Sequence, residues 1–166
     1  MKNTSARAGT ALVATAVSLS AALALATPAS AAPAAQCSSW QREEIDTIGA
    51  SNLIVQVKLC VRRTASNAIT AEAETRWTGG GGGFSTGLDK FSIQVRLERN
   101  DATVKSASAN YTGHMNNYPE SARKLITPSH YSSVPGGWTA DGVVTYDIAN
   151  DGAGEKTWQL GGSPSI

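Results

Sequence analysis

Both histidines of the chain, His114 and His130, fall within one stretch, 112–137, which reads TGHMNNYPESARKLITPSHYSSVPGG. Imidazole works as a base near neutral pH and is a common zinc ligand. The same stretch carries Asn116, Asn117, Tyr118, Glu120 and Tyr131. The two histidines are too far apart in sequence for an HExxH-type pair, so no metal site is expected, and no cofactor motif is found. No Ser-His-Asp triad is assigned. The candidate binding residues are therefore His114, Asn117, Tyr118, His130 and Tyr131, with the catalytic residues unknown.

Two carboxylate pairs offer a different chemistry. Glu72 and Glu74 sit two apart, which places both on one strand face about 7 Å apart. That spacing resembles a glycosidase pair. Lys58 and Arg76 are close enough to neutralise them, so a solvated charged face is the preferred reading. Asp147 and the Asn150-Asp151-Gly152 run resemble a calcium loop but lack the alternating ligands and closing Glu. A hairpin turn explains them.

Cys37 and Cys60 are the only cysteines. In an exported protein such a pair reads as one disulfide. Export itself is read from the start of the chain. Lys2 and Arg7 precede an apolar run at 11–26, and Ala29-Ser30-Ala31 is a small-residue cleavage site. This is the order of a secretory signal peptide. The run is shorter and more alanine-rich than a spanning helix. Its composition resembles leaders of high-GC Gram-positive bacteria. The expected organisation is a cleaved leader at 1–31 and a single β domain at 32–166, secreted and free of the membrane after cleavage.

Removing 31 of 166 residues leaves 135, with 12 basic against 13 acidic residues, a formal charge of −1. A nucleic-acid binder driven by bulk positive charge is excluded. The length suits one core.

The elements that must position these residues read as strands. In 53–63 (LIVQVKLCVRR), Leu53, Val55, Val57, Leu59 and Val61 alternate with mostly polar partners, the mark of a half-buried strand. In 69–77, Ile69, Ala71, Ala73, Thr75 and Trp77 do the same. Aligning the two apolar faces sets Lys58 opposite Glu74 and Val55 opposite Trp77. Cys60 lies on the polar parity, so its bridge is expected to strap the N-terminal segment over the outside of the sheet. Trp40 and Ile54 would cover that patch. The segment 41–46 (QREEID) is either one helical turn or a short strand.

Five glycines at 79–83 and the following 84–89 are read as a connection between sheets. Further strands are 91–98, 102–111, 138–148 and 156–160. Asn100 and Asp101 form a two-residue hairpin, and a parity switch in 102–111 calls for a bulge. Trp77, Trp138 and Trp158 point inward, while Trp40, Tyr118 and Tyr131 are free for contacts. Within 112–137, residues 120–126 are expected to form one or two helical turns after Pro119. The tail 161–166 is expected to fray.

The fold class is all-β: an antiparallel β-sandwich or open barrel of about six to seven strands, with one long irregular loop at 112–137. Such a loop is usually functional or disordered. The expected function is non-catalytic binding of an extracellular protein or glycan through that loop. The alternatives are a small secreted hydrolase with His114 or His130 as base, and an extracellular enzyme inhibitor.

Overall fold

The computed structural model describes residues 32–48, 52–79 and 87–166. The expected leader at 1–31 and most of the glycine-rich connection lie outside these. Two antiparallel sheets stack face to face and do not close into a barrel. The first sheet holds β1 (Ala34–Cys37), β2 (Gln41–Ile45), β3 (Leu53–Arg63), β4 (Ala68–Thr78), β7 (Glu120–Ile126) and β8 (His130–Tyr131). Its order is β1-β3-β4-β7, with β2 also on β3 and β8 also on β4. The second sheet runs β10-β9-β5-β6, from β10 (Lys156–Leu160), β9 (Trp138–Ile148), β5 (Leu88–Arg99) and β6 (Ala102–Asn110). The described strands number ten. The excess over the expected six or seven comes from short edge pieces that carry too few residues to show alternation.

The alternating faces meet as their period dictates. In the β3–β4 pair, Val55 faces Trp77, Lys58 faces Glu74 and Leu59 faces Ala73. One buried cluster joins the inner faces: Val55, Val57, Leu59 and Trp77 from the first sheet, Phe91, Ile93, Val95 and Val144 from the second. A Cβ on Gly142 would sit 2.7 Å from the Gln94 carbonyl of the adjacent strand and 3.4 Å from Leu59 Cδ2 across the core. Asn100 and Asp101 turn the β5–β6 hairpin with φ of 49° and 64°, as a primed turn requires. The parity switch in β6 is a bulge. Leu97 faces Lys105 but Glu98 faces Thr103, which leaves Val104 as the extra residue.

Four expectations need correction. The stretch 112–137 is not one irregular loop. It holds a short helix α1 (Thr112–Asn117), then β7 and β8. Residues 120–126 form strand β7 rather than helical turns, because all seven pair with β4 from Glu120↔Thr78 to Ile126↔Glu72. Sheet pairing overrides a weak local helix preference. The disulfide is not a strap across the sheet. β1 adds to the edge of β3, Cys37 is the direct partner of Cys60, and their sulfurs are bonded. The tail is not frayed. Ser163 Oγ accepts from the Ala140 amide at 2.9 Å, and the Ile166 amide donates to the Trp138 carbonyl at 3.0 Å. The open choice at 41–46 resolves to strand β2.

One flank of the sandwich is stitched by a side chain. Gln41 bonds both the amide and carbonyl of Gly161, tying β2 to the end of β10. On the opposite flank the edge strands are β6 and β7, with α1 bridging between them at one end.

Candidate functional site

α1 is clamped to β5 by side chains that replace main-chain groups. Asn116 donates to the Leu88 carbonyl at 2.9 Å and accepts from its amide at 3.0 Å. Thr112 Oγ1 accepts from the Phe91 amide. Trp77 Nε1 donates to the Tyr118 carbonyl at 2.8 Å, and the Trp77 ring stacks on Tyr111. Burial raises the Tyr111 phenol above its usual range, against a smaller opposing pull from Arg123. The core thus fixes the corner where α1 meets β7.

Three of the five sequence candidates sit at that corner. The His114 and Tyr118 rings lie 5.4 Å apart. Asn117 is exposed and donates to the Gly113 carbonyl. Arg123 of β7 places Nη2 2.9 Å from His114 Nδ1 and 2.5 Å from Nε2. A guanidinium only donates, so the imidazole accepts from it. That occupies the lone pair a general base needs.

The other two candidates are elsewhere. His130 pairs with Ile69 on β4, and its ring lies 5.2 Å from Trp138. Tyr131 is 71% exposed beside it. Arg123, at the His114 end, pairs with Thr75. Six residues of β4 separate these positions, about 20 Å of strand. The two histidines therefore do not converge. Among the described residues neither ring bonds a carboxylate or hydroxyl, and no cluster of three metal-ligating side chains occurs.

A second feature was partly legible in Trp40. On the outer face of the first sheet, two depressions of about 410 Å³ each share Arg76 and Ala122. One is walled by Trp40, Lys124 and Arg123, the other by Gln56, Thr78 and Glu120. Together they form a shallow trough along β4 and β7. The Trp40 ring lies 4.0 Å from the Arg76 guanidinium and 4.8 Å from Lys58 Nζ. Arg76 Nε donates to Gln56 Oε1 at 2.9 Å. Stacking and one hydrogen bond hold this guanidinium flat, and among the described residues it makes no ion pair. Trp40 covers the outer face as the sequence implies. The small Ala122 and the strand that carries it were hidden by the helical expectation for 120–126.

Two carboxylates of this face, Glu72 and Glu74, are already neutralised. Glu72 binds Arg62 at 2.9 Å and Lys124 at 3.2 Å. Glu74 binds Lys58 at 2.8 Å and Lys124 at 3.3 Å. The glycosidase-like pair is a charge ladder, with Lys58 as its expected partner and Lys124 rather than Arg76 as the other. Hydrogen bonding from Lys58 leads in holding the Glu74 carboxyl below its usual range, against partial burial. A carboxyl with a lowered folded-state pKa adds stability above its unfolded pKa of about 4.3 and loses it as pH falls through the folded value. Glu74→Gln is expected to lower the urea midpoint at pH 7 and to melt with wild type at pH 2. A deficit that persists unchanged at pH 2 would contradict this assignment.

Residues 83–87, read above as part of a connection, spell Gly-Phe-Ser-Thr-Gly. This matches the nucleophile-elbow pattern, in which the serine sits between a strand and a helix. Here Leu88 opens strand β5 instead, and Ser85 lies outside the described residues. No family model, curated protein or solved structure matches the chain.

Proposed function

We propose that the protein is a secreted, non-catalytic binding module whose binding surface is centred on β7 and whose ligand is an extended anionic glycan. One observation carries this reading: the trough beside β7 presents a pre-positioned guanidinium, Arg76, with Lys124 alongside. Glu72 and Glu74 are neutralised by Arg62, Lys58 and Lys124 together, which leaves Arg76 as a cation without an ion pair among the described residues. The chain's balanced overall charge makes this grouping local rather than a bulk effect. A shallow open trough suits a polymer lying across it better than a small molecule needing enclosure. The disulfide is compatible with an extracellular setting.

The test uses polygalacturonate, a sulfated galactan and neutral dextran as immobilised probes. Wild type is expected to bind one or both acidic polymers and not dextran, with affinity falling as salt rises. Losing charge-assisted contacts of about 1.5–3 kcal/mol each, the Arg76→Ala, Lys124→Ala double variant is expected to bind at least tenfold more weakly. Equal binding by wild type and the double variant, or none to either acidic polymer, would overturn the reading.

The hydrolase alternative retains one specific feature. Ser85 lies three residues before Leu88, whose amide is bonded to Asn116, two residues from His114. Turnover of p-nitrophenyl butyrate that disappears in Ser85→Ala would establish it. The inhibitor alternative calls for a protruding loop, and half of 112–137 is instead committed to α1 and β7.

A further inference from the structure

The end of the sandwich farthest from α1 contains an imbalance that the trough does not involve. Arg63 closes β3 and Arg99 closes β5, both on the inward parity of their strands. They come from opposite sheets and meet at Trp138. Arg63 Nη2 donates to the Val134 carbonyl at 2.7 Å, and the same carbonyl accepts from Trp138 Nε1 at 3.0 Å. The Arg99 guanidinium lies 5.5 Å from the Trp138 ring centroid, and His130 packs on that ring.

Arg63 is only 6% exposed. Its Nε and that of Arg99 are buried without a hydrogen-bond partner. Neither arginine forms an ion pair among the described residues. Glu98, the neighbour of Arg99, is spent on Arg96 at 2.7 Å. A buried cation is ordinarily paired, because removing it from water uncompensated is costly. Arg63, buried, and Arg99, partly buried, reach one end of the core from facing sheets, and no side-chain carboxylate among the described residues pairs with either. The short 132–137 loop roofs the place, held by Asn67, whose carbonyl accepts from the Ser132 amide, and by Asn100, whose amide donates to the Gly137 carbonyl.

We infer that Arg63 and Arg99 form a site for an oxyanion, bound against Trp138 beneath the 132–137 loop. The guanidinium fork matches both a planar carboxylate and a tetrahedral sulfate or phosphate. The site is distinct from the β7 trough and does not depend on it.

The test titrates the full mature protein with sodium sulfate, sodium phosphate and sodium galacturonate at matched ionic strength, against sodium chloride. The readouts are the Trp138 indole N–H resonance and the thermal midpoint. The expected result is a saturable shift of that resonance and a raised midpoint with at least one oxyanion, and neither with chloride. Saturation by sulfate or phosphate assigns a tetrahedral ligand, and saturation by galacturonate alone assigns a sugar carboxylate. Arg63→Met is expected to abolish the response and, without oxyanion, to melt no lower than wild type, because it removes an uncompensated charge. Arg99→Met leaves the Val134 hydrogen bond in place and serves if Arg63→Met does not fold; it is expected to weaken the response at least tenfold. No saturable shift, or an undiminished one in Arg99→Met, would overturn the inference.

Discussion

Trp77→Ala is expected to destabilise the protein by about 3–5 kcal/mol, the usual cost of emptying a large buried aromatic site. Trp77 is 1% exposed and among the largest fully buried side chains. Its effect should also reach the surface. The indole is the donor that holds the Tyr118 carbonyl, at the point where α1 gives way to β7. Trp77→Phe separates the two roles. It keeps most of the apolar contact and loses only the hydrogen bond, worth about 1 kcal/mol. Urea melts with an unchanged slope should therefore rank wild type above Phe above Ala. Amide exchange in 114–118 should quicken in both variants. Protection in α1 that survives Trp77→Phe would show that the helix is held by Asn116 and Thr112 alone.

Opening the disulfide is the second large effect. Cys37 and Cys60 are separated by 23 residues. In the chain-entropy account, a loop of that size contributes about 3 kcal/mol. β1 is a four-residue edge strand whose sole partner is β3, so little else retains it. Cys37→Ala with Cys60→Ala should lower stability by about that amount, and β1 should exchange its amides first. Reductant should produce the same loss in wild type and none in the double variant. A double variant as stable as wild type would mean that the pairing of β1, not the crosslink, carries the edge.

The sequence was most informative where one face of a strand is wholly apolar. β3, β4, β5 and β9 each offer four to six alternating positions, so their inner faces and even the β3–β4 register followed from side-chain parity. β7 carries no such signal. Its residues ESARKLI place Leu125 against the core and leave most of the rest exposed, because an edge strand buries little. A helix after Pro119 was the reasonable reading of that composition, and it hid the trough. Trp40 showed itself as an aromatic outside any alternating run, but its partner Arg76 came from a strand 36 positions away. The pairing of Arg63 with Arg99 was equally invisible, since both look like ordinary charged residues at strand ends. The two histidines drew attention to one segment, yet they mark two separate places in the fold.

The most direct test of a binding surface on β7 is a chemical-shift footprint of polygalacturonate on isotope-labelled protein. The account predicts changes at the Trp40 indole, the Arg76 side chain and the amides of 122–124. Binding that perturbs the outer face of the second sheet, around Ser92 and Val143, while leaving Trp40 and 122–124 unchanged, would contradict it.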